Sequence, residues 1–547
     1  MKLLNQQTHG CMFSRSTAQF NEGPEDTVLC IVDGSKAGID NWILLTSSDF
    51  FVNKQEPFLD GFRTISGVTG IAAVQKFILV AAKGVGTDEM SLFVSDDAVV
   101  WDRAEFPSDH GGLKQDAYTI LESTPESIQV DVLTTNGNNA IGALFTSNSN
   151  GTYFTRNIDH TNRNLNGNVD FEQVAGIEGI VLVNIVDNAE DILKGNGNNN
   201  ILKKIKSQIS FDGGRTFKDL TINNGKLHLH SITDARNTGR VFSSPAPGIL
   251  MAIGNTGNYL SDYKQGNLYI SNDAGLNWEK TALDGPQYYE FGDSGSILVA
   301  IADGSITNTL SYSVNHGKGW ESVDLGLDVQ AIALLTVPDS SSKKFTMIAV
   351  STDIRVYIFS FNFEGVLDRQ CKKLDDEKES DYEKWYARLD EDQQPDCLMG
   401  HKQYFWRRKQ DSLCFVNNEF EHPVAEEEDC PCTDEDYECD FEFAYSTTSN
   451  KCELIGKLKI PVGACKSEEE KFEGPSGYRL IPGNTCKKDN DHNKDDKIEW
   501  DCNRGKKTSP PPPGGIRHVN TIFNTEGFRE YYYLGNDTEV SSLTPTY

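Results

Sequence analysis

The chain has 547 residues, 37% hydrophobic and 10% aromatic, enough apolar side chain to bury a core, which excludes wholesale disorder and a short regulatory peptide. Fifty-one Lys and Arg stand against eighty-one Asp and Glu, a formal charge of −30, so a general nucleic-acid binder, which needs positive surface against phosphate, is excluded as well. At about 150 residues per domain the length allows two to four domains or one large repetitive one.

Residues 1–11 carry a single Lys and no apolar h-region, so they do not read as a secretory signal. The cysteine usage nevertheless points to an oxidising compartment. The expectation is therefore a piece of a longer secretory-pathway protein, with Met1 belonging to the cut. The longest apolar clusters, at 77–82 and 180–186, have strand length, and no apolar run long enough to span a membrane occurs.

From residue 1 to 366 short β-rich runs, at 42–46, 91–94, 268–270 and 346–350, alternate with Gly, Asn and Asp turns and show no long helical periodicity. This part of the chain reads as all-β. One pattern recurs through it, Ser-x-Asp-x-Gly-x-Thr-aromatic. Full copies stand at Ser210, Asp212, Gly214, Thr216 and Phe217, at Ser271, Asp273, Gly275 and Trp278, and at Ser313, Asn315, Gly317 and Trp320. Degenerate copies stand at Ser47 and Asp49, at Ser95 and Asp97 before Trp101, and at Ser147, Ser149 and Gly151 before Phe154.

The spacing suits a hairpin turn. The Ser and Asp side chains bond the turn's own backbone, the Gly takes a φ that other residues resist, and the aromatic packs between neighbouring units. These are Asp-boxes with a structural role, and none of their carboxylates is assigned to catalysis. Copies about forty to sixty residues apart match one four-stranded propeller blade each. A lone blade cannot hide both faces, so blades close radially, and the fold expected is a β-propeller with about six or seven blades in this chain.

The cysteines divide the chain. Cys11 and Cys30 come early, and the other ten lie between Cys371 and Cys502. An even number in a loop-rich acidic segment reads as a disulfide framework. Zinc, suggested by Cys430 and Cys432, is the competing reading, but paired CxxC knuckles and spaced histidines are lacking. The sequons at Asn150 and Asn536 fit N-glycosylation on exposed loops of a lumenal or extracellular protein. After Cys502 comes a Pro- and Gly-rich linker at 509–515, and then an aromatic stretch at 528–533 that reads as the start of another strand.

His228 and His230, two apart on a strand, would share a face, and a metal if a third ligand arrived. The preferred reading places them within a blade, where charging in mildly acidic medium helps release cargo. The acidic stretches at 375–379, 390–392 and 426–429 lack the ligand order of a calcium loop and read as solvated surface. No catalytic residue, metal or cofactor is expected. The enzymatic alternative is an Asp-box glycoside hydrolase of sialidase type, but Phe62 and Arg63 are followed by Thr-Ile and not by Ile-Pro, so the arginine signature is missing. A secreted adhesion or structural glycoprotein is the third class.

An Asp-box propeller followed by a ten-cysteine module resembles the sortilin family, whose fungal members are vacuolar protein sorting receptors. The resemblance covers nearly the whole chain. It is carried by His9-Gly-Cys11, residues 44–51, residues 146–154, Val169-Asp-Phe171, residues 179–185 and Leu227-His-Leu-His230. Further carriers are Asp396-Cys397-Leu398-Met399-Gly400, Arg407-Arg408-Lys409 before Cys414, Asp436-Tyr-Glu-Cys439-Asp-Phe441 and residues 477–482 before Cys486.

The resemblance implies a ten-bladed propeller whose tunnel binds peptide segments of cargo, a module packed against it, and a membrane anchor in the full-length protein. About three N-terminal blades would then be absent from this chain. It also implies the pairing Cys11–Cys30, Cys371–Cys414, Cys397–Cys430, Cys432–Cys486, Cys439–Cys452 and Cys465–Cys502, each bridge contributing roughly 2–4 kcal/mol. The expected domains are blades at 1–366, the ten-cysteine module at 367–503, and a linker and tail at 504–547. The expected function is that of the lumenal cargo-binding region of a sorting receptor. Soluble vacuolar or lysosomal hydrolase precursors, or other peptide cargo, are the partners, met on the lumenal side of Golgi and endosomal membranes. The cargo-binding residues have no signature in the sequence.

Overall fold

The computed structural model describes residues 6–17, 20, 26–36, 38–61, 63–83, 90–107, 118–121, 123–135, 139–195, 201–223, 225–237, 242–390, 392–417, 424–460, 464–467, 469–489, 493–507, 517–522 and 528–533. Phe62, Asn536 and the prolines of the linker lie outside these.

Up to Asn362 the described chain is a succession of antiparallel meanders. The first runs through Thr8–Phe13, Val28–Asp33 and Trp42–Ser47. The second runs through Val68–Val74, Phe77–Lys83, Met90–Ser95 and Asp102–Arg103. The third (Tyr118–Ile120, Gln129–Leu133, Ile141–Ser147, Phe154–Asn162) and fourth (Phe171–Gln173, Val181–Val186, Ile205–Ser210, Lys218–Asp219) are joined by the pair Thr161 and Ile185. The fifth runs from Gly225–Leu229 through Leu250–Thr256 and Asn267–Ser271 to Glu279–Lys280.

The sixth comprises Gln287–Gly292, Ile297–Ala302, Thr307–Ser313 and the first half of the long strand Glu321–Leu335. The second half of that strand opens a seventh, with Lys344–Ser351 and Val356–Asn362. The described residues thus form seven meanders, against the six or seven blades expected from box spacing.

These sheets stack face to face, as propeller blades do, and the apolar runs show why. Phe77–Lys83 is buried along nearly its whole length. Phe77, Leu79 and Ala81 enter one core with Ile128, Val130 and Val132 of the third blade. Ile78, Val80 and Ala82 enter another with Leu29, Ile31 and Leu44 of the first. Because side chains alternate across a strand, a strand with a sheet on either side must be apolar at every position. Leu250 and Ala252 likewise face the fourth blade while Met251 and Ile253 face the sixth. Val356–Asn362 instead alternates, with Phe359 and Phe361 against its own blade's core and Val356 and Ile358 exposed.

Beyond residue 366 the chain forms short two- and three-stranded sheets tied by five disulfides, Cys371–Cys414, Cys397–Cys430, Cys432–Cys486, Cys439–Cys452 and Cys465–Cys502. A sixth, Cys11–Cys30, staples the first two strands, and Cys430 and Cys432, the pair that suggested zinc, are each taken up in a bridge. The module's own core is small, built from Phe443, Leu458, Ile460 and Phe472. Its larger burial is shared, with Ala387, Leu398, Met399, Phe405 and Ile481 packing into one cluster with Leu182, Ile209, Leu250 and Trp278 of the fourth and fifth blades.

Within the third blade Asp131 and Arg163 form a fully buried ion pair at 2.8 Å. Gly142 leaves the room for it, because a Cβ there would stand 2.2 Å from Asp131 Oδ1 and 2.6 Å from Thr161 Oγ1. Gly142→Ala must therefore displace a buried carboxylate from its counter-charge, and we expect a loss of about 3 kcal/mol. A urea titration followed by tryptophan fluorescence checks this through a lowered midpoint.

Candidate functional site: an arginine grip on the Asp-box turns

In the fourth blade the Ser210 hydroxyl donates to Asp212 at 2.7 Å and accepts the Gly214 amide at 2.8 Å. Asp212 in turn accepts the Arg215 and Thr216 amides and the Thr216 hydroxyl. Ser271 and Asp273 repeat the geometry with the Gly275 and Asn277 amides, and Ser313 and Asn315 with those of Gly317 and Gly319. Gly214, Gly275 and Gly317 have φ of +92°, +91° and +80°, conformations in which a Cβ is strained. The aromatics Phe217, Trp278 and Trp320 pack into the inter-blade cores, and Trp278 Nε1 donates to Gly275 O at 2.9 Å. Each box carboxylate is engaged by the donors of its own turn.

Two boxes depart from the sequence pattern. At Ser147 the acceptor is Asn148, which takes the Thr152 and Tyr153 amides, because its carboxamide reaches across the turn where the shorter Ser149 does not. A further box at Ser351 and Asp353 has Arg355 in the glycine position, its amide donating to Ser351 Oγ. This copy lacks the box glycine, as do those at Ser47 and Ser95, and its Ser-x-Asp was present in the sequence to find it.

The module grips these turns blade by blade. Arg479 reaches the third blade, donating to Tyr153 O at 3.1 Å, Thr146 O at 3.3 Å and Thr155 Oγ1 at 3.0 Å. In the fourth, Arg215 projects from the box turn to Glu438 of the module at 2.9 Å. Glu438 also accepts Arg479 Nε at 2.8 Å. Burial pushes the Glu438 carboxyl up, but Arg215 and Arg479 together hold it below its ordinary value.

In the fifth, Arg407 donates to Pro247 O and, at 2.7 Å, to Asn272 O, the second residue of the box. In the sixth, Arg408 donates to Ser296 O and, at 2.8 Å, to Val314 O, again the second residue of its box. Trp385 covers Gly248, where a Cβ would stand 2.5 Å from the indole. Arg408 is buried with carbonyl oxygens for partners, and burial lowers its guanidinium to about 10. None of these five charged residues was singled out from the sequence as a contact. Arg407, Arg408, Glu438 and Arg479 fall within strings that carry the sortilin resemblance, and nothing in those strings says where their side chains reach.

Between the fourth and fifth blades lies a small cavity with an apolar wall, lined by Leu182, Val183, Leu229 and Phe242 together with Asp170, Glu172, Asn184, Ser207, His230 and Ser231. Asp170 accepts from Asn162, Asn184 and Thr233, and Lys203 donates to Ala140 O, Asn162 Oδ1 and Arg163 O. Burial brings the Lys203 ammonium down to about 8.

His228 and His230 are both buried. His228 Nδ1 accepts the Ser207 amide at 3.1 Å and its Nε2 faces Gly257 O, so it is held neutral, and burial lowers it further. His230 Nδ1 turns to Asp234 at 3.4 Å. Both thus belong to the packing between blades and neither is open to cargo. Among the described residues no group of three or more His, Cys, Asp or Glu is arranged to hold a metal ion. Of the acidic stretches, 426–429 forms an exposed strand, Glu426–Asp429.

A family model described as sortilin, neurotensin receptor 3, matches residues 1–334, and its C-terminal counterpart matches 336–502. Among curated proteins, relatives from Talaromyces marneffei, Blastomyces gilchristii and Ajellomyces capsulatus are each 46% identical, over 97%, 100% and 99% of this chain. Each is called vacuolar protein sorting/targeting protein 10. The chain spans 36–37% of their length.

Glu438→Gln leaves Arg215 and Arg479 buried without a counter-charge, and we expect it to destabilise the chain by about 3–5 kcal/mol. Lys459→Ala, which removes a half-exposed pair with Glu105, should stay within about 0.5 kcal/mol of the parent. Parallel urea titrations of the two variants check the contrast.

Proposed function

The chain belongs to the sortilin family, and on that premise we propose that it is the lumenal cargo-binding region of a sorting receptor. In this role it carries soluble hydrolase precursors from the late Golgi to the endosome and vacuole. The observation that carries the reading is the grip of the module on four successive blades. Arginines fix the box face, so the propeller presents its opposite face and interior as a rigid frame, where edge backbone groups suit an extended peptide added as a strand. The full relatives, named for sorting and targeting, support the same role.

Within this frame we assign blades to residues 1–366, the ten-cysteine module to 367–503, and linker and tail to 504–547. The last blade strand ends at Asn362 and the module's first bridge begins at Cys371, which supports that division. The Asp-box residues and the six bridges are assigned structural roles, and Asn150, half-buried in its turn, and Asn536 are proposed glycosylation sites.

The test is a pull-down with the chain secreted from a eukaryotic host, immobilised, and exposed to Golgi-lumen extract at near-neutral and at mildly acidic pH. We expect soluble vacuolar hydrolase precursors to be enriched at the first and to come off at the second. Absence of any such precursor overturns the assignment of cargo binding to this chain.

A further inference from the structure

We propose that His316 makes the contact between the sixth blade and the ten-cysteine module proton-sensitive, so that the module loosens from that blade in mildly acidic medium. This stands apart from the cargo assignment, since it concerns only how two parts of the chain hold together.

The turn itself does not call for an imidazole. His316 sits between Asn315 and Gly317 of its box with φ of +52°, and the equivalent position holds Gly213 at +67° in the fourth blade and Ala274 at +58° in the fifth. Gly takes this region freely, Asn, Asp and His enter it more often than other residues, and Ala holds it in the fifth blade, so the conformation does not single out His. The imidazole is therefore an addition to the box, and its burial beside the module gives it consequence.

The ring is only 2% exposed, and its Nε2 has no hydrogen-bond partner among the described residues. Two guanidiniums from the module strand His401–Arg408 lie against this turn. Arg408 bonds Val314 O, two residues before the ring, and Arg407 bonds Asn272 O, while the Asn272 side chain itself donates to His316 O. The carboxylates on the surrounding elements are engaged elsewhere. Glu383 holds Arg407, Asp381 holds Arg369, Asp273 caps its own box, and Asp293 accepts the Val416 and Asn417 amides.

A proton added to this ring would thus be buried beside two cations with no anion bonded to it. Burial first, and then Arg408 and Arg407, hold the imidazole well below its ordinary value. A histidine depressed in the closed contact gains a proton only when the contact opens. The stability it allows is present above the ordinary imidazole range and lost as pH falls through it. For one such group, ordinary when exposed, the opening equilibrium rises about tenfold between pH 7.5 and pH 5.5.

Hydrogen–deuterium exchange of the whole chain at those two pH values, corrected for intrinsic exchange chemistry, tests this. In the unsubstituted protein we expect about tenfold more opening at pH 5.5 in peptides covering 293–296, 313–317 and 407–417. His316→Asn, which suits the turn's φ, and His316→Ala, which matches the fifth blade, should each reduce the ratio to below about twofold. Equal protection of these peptides at both pH values overturns the proposal, as does a pH response that survives in both variants or one confined to the region of His228.

Discussion

The amide of the fifth box residue bonding the serine hydroxyl of the first is the interaction on which the rest of this structure depends. It ends the third strand of a blade at a fixed point and turns the chain back as the fourth. Because the Ser and Asp side chains satisfy the turn's amides internally, the carbonyls of the same turn are left facing outward as acceptors. In successive blades the boxes present similar acceptors. The module meets them, with Arg407 and Arg408 on the same relative carbonyl of adjacent boxes.

This division of labour also settles where charge is buried. A carboxylate taken out of water costs several kcal/mol unless its partners replace the lost solvation. Glu438 has two guanidiniums, and Asp131 has Arg163 and the Thr161 hydroxyl. The outcomes differ, since Asp131 is pushed up to about 6 by burial despite Arg163, while Glu438 is held below its ordinary value. The module's buried ion pairs with Glu438 lie at the third and fourth blades. At the sixth blade the buried arginine relies on carbonyls and stands beside a neutral histidine.

The shared core works in the same direction. The module's own apolar cluster is small, and its bridges hold local loops, so its stability depends on burying Leu398, Met399 and Phe405 against blades four and five. Gly179 and Gly248 keep the approach close, since a Cβ at either would overlap Met399 or Trp385. Propeller and module thus behave as one packed body along this seam.

The all-β class, the blade repeat and the cysteine-dense module were legible from the residues alone, because each has a short-range cause. Strand length, box spacing and cysteine density are all readable within a few residues. The box at Ser351 carried its Ser-x-Asp in the sequence and went uncounted, and the acceptor at Asn148 was misplaced by one position because a side chain's reach does not show in a spacing. The arginine grip was not legible at all. Nothing around Arg479 or Glu438 says that they meet Tyr153 and Arg215 hundreds of residues away, since a charged side chain names no partner until the fold buries it. His228 and His230 read as a same-face pair within a blade, and only the packing of the fifth blade against the fourth shows both buried. Local hydrogen bonding wrote the blades into the sequence, whereas burial and the pairing of distant charges exist only once the blades have stacked and the module has docked.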